Sequence, residues 1–195
     1  MADDVSLKDE LIQKAIEVFS RKGYEATNLT DITDALGISR GPVYYHFKDK
    51  YGLYVAAFNL WASKFQHDHD LILAQDKHII KILEDSVYCC IDMYKHFRPN
   101  FFVGIDTVEE LSELKDRYYL LVQHIYNKKV ETVKRAIARG EIRRSISPEL
   151  VVDMIYVLYD GIKDGLERPL VKIKESELKT IVTVQLLGIE RFCCD

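Results

Sequence analysis

The chain has 195 residues, 48% of them hydrophobic, and a formal net charge of −4 at pH 7. That length can bury a substantial core as one or two domains, and the acidic balance excludes a polycation that coats nucleic acid over its whole surface. No run of eighteen apolar residues occurs and the start MADDVSLKDE is charged rather than signal-like, so a soluble, cytoplasmic protein with no membrane partner is expected.

In chain order the sequence predicts an all-α protein. Leu7, Leu11, Ala15, Val18 and Phe19 recur at helical spacing, and Arg21-Lys22-Gly23 closes that helix with basic residues and a glycine. Asn28 is placed to cap a second helix, with Asp31 completing a shortened capping box and Ile32, Ala35 and Leu36 turned inward. A tight turn over Gly37-Ile38-Ser39 leads to a third, short helix, giving a helix-turn-helix unit. From Lys50 a longer helix carries Leu53, Ala57, Leu60, Trp61 and Phe65. Asp76 is expected to cap the next, in which Ile79, Ile80, Leu83, Val87, Ile91 and Tyr94 run to Phe97 before Arg98-Pro99-Asn100 breaks it. A mixed stretch over 101–112 precedes a long helix over 114–139 that Gly140 ends. Ser147 and Pro148 then cap and open a helix to Gly165, Arg168-Pro169 interrupts, and Ser176 to Phe192 forms the last helix.

The third helix carries the chemistry. At 100° per residue, Val43 and Phe47 share one face and can pack on the first two helices, while Gly41, Pro42 and Tyr45 lie opposite. Tyr44 and His46 project to either side, towards phosphates flanking a groove. Arg40 at its start reaches base edges, the commonest specific contact being Arg to guanine O6 and N7. Gly41 removes a side chain where a backbone must come close. Lys48, and Lys50 at a positive helix end, read as cations awaiting an anion, and Thr27 and Asn28 stand ready before the second helix. Charge is local: over 39–50 three Lys/Arg face one Asp/Glu, whereas over 1–50 seven face nine. Few phosphate contacts per subunit imply a shallow salt dependence.

Ala15-x-x-x-Phe19, Lys22-Gly23-Tyr24, Thr27, Ile32, Ala35-Leu36-Gly37-Ile38-Ser39-Arg40-Gly41 and Tyr44-x-His46-Phe47-x-x-Lys50 resemble the N-terminal domain of the TetR family of bacterial transcriptional regulators. The resemblance covers residues 8–58. It implies that Thr27, Ser39, Arg40, Gly41, Tyr44, Tyr45, His46 and Lys50 contact DNA. It also implies a helix-turn-helix DNA-binding domain over 1–50 and a helical ligand-binding and dimerisation domain over 51–195. Two positions depart from the family's pattern: Pro42, and Tyr51-Gly52 in place of acidic residues.

One helix-turn-helix seldom suffices for specificity, so a homodimer across two half-sites is expected. Val151, Val152, Ile155, Leu158, Tyr159 and Ile162, with Ile181, Val184, Gln185, Gly188, Ile189 and Phe192, offer apolar faces for the seam, and Gly161 and Gly188 permit close helix approach. Twelve tyrosines and eight phenylalanines are many for this length and favour an apolar or aromatic small-molecule effector. The expected pocket residues are Trp61, Phe65, Tyr88, Met93, Tyr94, Phe97, Phe101, Phe102, Tyr119, His124, Tyr126 and Tyr156.

Other constellations carry less. Alternate residues of His67-Asp68-His69-Asp70 point about 200° apart on a helix, so no metal site is expected and a frayed, solvated helix end is. Seven Lys/Arg against two Asp/Glu over 128–144 read as a solvated helix face, with Arg135 or Arg139 the alternative contact for an anionic head group. The adjacent pairs Cys89-Cys90 and Cys193-Cys194 match no zinc spacing and read as reduced thiols, a redox or metal sensor being the alternative. No nucleophile–base pairing, phosphate loop or cofactor motif appears, so no enzyme and no cofactor is expected. A ligand-released repressor on a double-stranded DNA operator is the leading expectation; an activator or constitutive regulator would use the same DNA contacts.

Overall fold

The computed structural model describes residues 2–97, 101–102, 104–167 and 173–194, with side chains from residue 7 onward. Its helices are α1 (Ala2–Lys22), α2 (Leu29–Leu36), α3 (Gly41–Phe47), α4 (Lys50–Leu73), α5 (Ile79–His96), α6 (Ser112–Arg139), α7 (Pro148–Glu167) and α8 (Leu178–Cys193). Short 3-10 turns at Glu109–Leu111 and Glu175–Glu177 lead into α6 and α8, which is why α6 begins slightly ahead of its expected start. Among the described residues no strand occurs, and no helix is long and apolar enough to cross a membrane. The expected breaks at Arg98-Pro99-Asn100 and Arg168-Pro169 lie outside the described residues.

Local chemistry sets the ends of these helices. Asn28 N–H donates to Asp31 Oδ2 at 2.9 Å, the reciprocal half of a capping box. Gly37 ends α2 in the left-handed region at φ 67°, where a side chain would be strained. Ser147 Oγ accepts from Leu150 N–H at 3.2 Å, with Pro148 opening α7. Asp76 does not cap α5. The first N–H of that helix, on Ile79, donates instead to Glu141 Oε2 at 2.7 Å, 62 positions away in sequence, and the next, on Ile80, to His78 Nδ1 at 3.4 Å. Burial pushes the Glu141 carboxyl up, but hydrogen bonds from Arg139 and the Ile79 N–H carry it below the usual range.

Packing divides the chain elsewhere than at residue 50: one compact unit is 1–65 with 94–121, the other 66–93 with 122–195. In the first, Leu11, Ala15, Val18 and Phe19 of α1, Ile32 of α2, Val43 and Phe47 of α3 and Leu53, Tyr54 and Ala57 of α4 are buried. Ala35, expected inward, is exposed, and the buried neighbour of Ile32 is Thr33. The reason for the wider unit is aromatic. The Phe101 ring stacks on Tyr54 at 4.9 Å and meets Phe19 and Phe97 edge-on. The Tyr54 hydroxyl donates to Phe101 O at 2.5 Å. Tyr24 likewise donates to Glu110, so the segment after residue 100 is built into the same core as the first helices.

In the second unit one apolar cluster joins α5 to α8: Ile79, Leu83, Val87 and Ile91 pack with Val130, Val133 and Ala136, then with Val151, Val152, Ile155 and Ile162, then with Val182, Leu186 and Ile189. Val151, Val152, Ile155, Ile162 and Ile189 were expected at a dimer seam; they are at most 5% exposed and belong to this core. Apolar residues run around more than one face of α7, and the deepest of them face inward. Leu150, Val157, Val184, Leu187 and Phe192 remain exposed. Beside them an open groove of about 530 Å³ runs between α7 and α8, lined by Met154, Leu158, Gly161, Ile181 and Gln185 among others. Apart from its chain neighbours and its own helix backbone, no described atom lies within 4 Å of where a Cβ would sit at Gly161 or Gly188. The close approach within the chain falls at Gly165 instead, where a Cβ would meet Ile173 Cδ1 at 2.4 Å.

The His67–Asp70 stretch is not a frayed end, because α4 continues to Leu73 and His69 is fully buried. The basic zone over 128–144 is not a merely solvated face either. Lys128 pairs with Asp70, Lys129 is buried with its Nζ 4.8 Å from the Tyr156 ring centroid, and Arg139 pairs with Glu141. Arg135 donates to Leu73 O at 2.9 Å, closing the C-terminus of α4. Arg135 and Arg139 therefore already serve the fold.

Candidate nucleic-acid interface

The short α3 stands on two side chains. Val43 is fully buried and Phe47 is 7% exposed, one helical turn apart, and they fix the rotation of the helix. That rotation turns Tyr45 (77% exposed) and Tyr44 (52%) outward. Neither tyrosine is covered by the rest of the chain. Ser39, Arg40, Gly41 and Lys48 are exposed as well, while Pro42 and His46 are half-buried. The His46 ring meets Tyr45 edge-on at 4.8 Å between centroids. Carbonyl Arg40 accepts from Val43 and Tyr44 N–H at 3.1 and 3.2 Å, which opens the helix and leaves the guanidinium at its rim.

A Cβ on Gly41 would meet only Ser39 Oγ, at 3.5 Å, an ordinary contact. Nothing inside the chain therefore demands glycine there; an external backbone or phosphate in close approach would. Gly52 is the opposite case. A Cβ there would lie 1.9 Å from Phe47 O, so the end of α3 and the start of α4 touch backbone to backbone. Around this joint Lys48 takes a positive φ of 70°, and Gly52 N–H donates to Asp49 Oδ1 at 2.7 Å, capping α4. This accounts for Gly52 in the Tyr51-Gly52 departure noted in the sequence. The sequence does hold a signal for it, an aspartate three residues before a glycine at a helix start.

Three of the sequence-derived contact residues stand differently from expectation. Thr27 is fully buried and its hydroxyl donates to Gly23 O at 2.7 Å, so it shapes the α1–α2 turn and presents no hydroxyl to solvent. Asn28 is exposed but its backbone is spent on the capping box. Lys50 was read as a cation in want of an anion; its Nζ donates to Tyr24 O at 3.0 Å and sits 4.3 Å from the Tyr24 ring centroid. The carbonyl and the ring offset its unfavourable place at the start of α4. The exposed cations bordering α3 are thus Arg40 and Lys48.

The twelve expected pocket residues fall in both units. In the first, Trp61 stacks on Phe65 at 5.2 Å and on Tyr118 at 5.5 Å, with Phe102 edge-on at 4.9 Å. With Phe97 and Phe101 these rings pack against one another; Trp61, Phe97 and Phe101 are buried, Phe65 and Phe102 half-buried. Tyr94 is half-buried and Tyr119 is exposed, its hydroxyl bound to Asp106; His124, also exposed, belongs to the second unit. In the second unit Met93 is buried, Tyr126 bonds Asp153 at 2.9 Å and packs on Tyr156, and the Tyr88 hydroxyl is buried without a partner. Among the described residues no group of three or more His, Cys, Asp or Glu could hold a metal ion.

Residues 11–57 match the sequence pattern of a family described as bacterial regulatory proteins, tetR family. The chain is 26% identical over 153 residues to the HTH-type transcriptional repressor KstR2 of Mycolicibacterium smegmatis, covering 77% of this chain and 73% of that protein. It is 24% identical over 181 residues to the probable acrEF/envCD operon repressor of Escherichia coli K12, covering 85% and 76% respectively. Among solved structures, a TetR transcriptional regulator from Chloroflexus aurantiacus superposes with a TM-score of 0.72 at 21% identity, covering 98% of this chain and 96% of that one. That last likeness extends the shared fold over the whole length, including the helices beyond residue 57.

Proposed function

This chain belongs to the TetR family of bacterial regulatory proteins, and from that premise we propose that it is a cytoplasmic, effector-released repressor that grips a pseudo-palindromic DNA operator as a homodimer. The observation that carries the reading is α3: a helix anchored by Val43 and Phe47 that turns Arg40, Gly41, Tyr44 and Tyr45 to the outside. Arg40 is assigned to base edges and Gly41 to close approach in the major groove. Tyr44, His46, Ser39 and Lys48 are assigned to the flanking phosphates, and Lys50 to holding the α3–α4 joint in place. The dimer seam is assigned to the exposed strip of α7 and α8, Leu150, Val157, Val184, Leu187 and Phe192, with the groove beside it. The α3 helix of each protomer would then read one half-site.

The effector, small and largely apolar or aromatic, would favour a conformation with the wrong spacing between the two reading helices, and affinity for DNA would fall by the coupling free energy. Selection of bound fragments from the source genome, followed by a gel shift, tests the reading. Wild-type protein should retard a pseudo-palindromic fragment. Arg40→Ala should lose about 1–3 kcal/mol of affinity and relax preference at one position of each half-site. Unchanged affinity and selectivity would remove Arg40 from the reading role.

A further inference from the structure

The second unit contains a side-chain cluster that DNA binding does not use. His69 of α4 is fully buried, and both its ring nitrogens face sulfur: Nδ1 lies 3.8 Å from Cys89 Sγ and Nε2 lies 3.6 Å from Cys90 Sγ. Sequence alone sets these residues about twenty positions apart and gives no hint of the meeting. The two sulfurs approach opposite nitrogens, so they cannot share one ion with the ring, and a metal site is the poorer reading. The arrangement suits proton transfer instead. A neutral imidazole has one N–H and one lone pair, so it can donate to one thiol while accepting from the other. Burial pushes the Cys90 thiol up, with Asp160 of α7 adding to it and Lys129 of α6 opposing it, so Cys90 holds its proton; in the tautomer that carries its hydrogen on Nε2, that N–H donates to the Cys90 sulfur. Nδ1 is then the acceptor, and it faces Cys89. Both cysteines are half-buried.

We propose that Cys89, with His69 as its acid–base partner, is a site of oxidation by small hydroperoxides. His69 Nδ1 takes the thiol proton. The Cys89 sulfur attacks the terminal oxygen of ROOH, an S–O bond forms and the O–O bond breaks. The leaving alkoxide takes the proton back from Nδ1, giving Cys89 sulfenic acid and ROH with the imidazole neutral again. Sulfur loses two electrons and the peroxide gains them. Cys90 does not close a disulfide with Cys89 within the helix, because adjacent Cα atoms lie nearer than a relaxed disulfide spans. The product is therefore a sulfenic acid open to an external thiol.

The test treats full-length reduced protein with hydrogen peroxide, traps sulfenic acid with dimedone and locates the adduct by peptide mass spectrometry, with half-buried Cys194 as internal reference. Cys89 should be modified roughly a hundredfold faster than Cys194, the modest end of acid–base assistance. His69→Gln should bring the two rates together, while Cys90→Ser should leave Cys89 the faster site. Cys89 reacting no faster than Cys194, or Cys90 reacting first, would overturn the proposal. If His69→Gln does not fold, the wild-type pH profile decides. Cys89 labelling should reach its plateau at a lower pH than Cys194 labelling, and coincident profiles would reject His69 as the partner. None of these readouts depends on DNA binding.

Discussion

Helices α3 and α7 both carry apolar or aromatic side chains into solvent, yet they reach that state by different routes. In α3 only seven residues are available, and two buried ones leave no freedom in which side chains face out. The chain on either side enforces this, through Gly37 before it and Lys48, Asp49 and Gly52 after it. In the twenty-residue α7, apolar side chains run around more than one face. There the inner and outer faces are separated by what packs against them rather than by spacing. Geometry at a short, pinned helix is specified locally; at a long apolar one it is specified by tertiary context.

The largest effect separates the two kinds of glycine in the reading head. Gly52→Ala drives a Cβ to within 1.9 Å of Phe47 O, a backbone atom that cannot step aside. The expected loss is about 3 kcal/mol of stability, seen as a lowered midpoint in urea, with DNA binding lost alongside. Gly41→Ala meets only Ser39 Oγ at 3.5 Å, so its urea midpoint should not fall. Its operator affinity should drop tenfold or more, roughly 1.4 kcal/mol, because the methyl intrudes where DNA approaches. A destabilised Gly41→Ala, or a tightly binding one, would break the distinction.

The second prediction divides α7 and α8 by face. Val152→Asp buries an unpaired carboxylate in the second unit's core and should cost several kcal/mol, enough to lose the cooperative melting transition. Val157 is 73% exposed and Val184 59%, so aspartate at either leaves the protomer folded. If this strip is the seam, sedimentation should show either variant as a folded monomer at concentrations where the wild type is a dimer, with operator affinity reduced in step. A variant that remains dimeric would place the seam elsewhere.

The same contrast explains what was legible in the sequence. The helix order, the caps at Asn28, Gly37 and Ser147 and the anchors Val43 and Phe47 follow from spacing and turn chemistry, which act over a few residues. Thr27 and Lys50 were misread because their partners, Gly23 O and Tyr24 O, are backbone atoms whose positions depend on the folded turn. Asp76 lost its expected cap to Glu141, 62 residues from Ile79, a distance no local rule spans. Val151, Val152 and Ile155 carry the same apolar character as Val157, and only the packing of the other helices of the cluster decides which are covered. His69 between two cysteines is the extreme case, since each residue taken alone reads as ordinary.

A smaller prediction concerns the aromatic core of the first unit. Tyr24 and Tyr54 are buried tyrosines whose hydroxyls donate to Glu110 and to Phe101 O. Burial pushes both phenols above their ordinary value, and at Tyr24 the Glu110 carboxylate adds to the effect. A group raised on folding stabilises fully below its unfolded value and loses that contribution as pH climbs through the folded one. For tyrosine the unfolded value is about 10, so stability should begin to fall above that pH, where the unfolded chain ionises and the folded chain still resists. Tyr24→Phe removes one such phenol and its hydrogen bond, at a cost of roughly 1 kcal/mol near neutrality, since Glu110 is exposed and regains water. Its urea midpoint should therefore decline less steeply than the wild type's between pH 10 and pH 11. Equal slopes would mean that Tyr24 opens to solvent before the domain unfolds, and that the clamp between the first helices and the segment after residue 100 rests on Tyr54 alone.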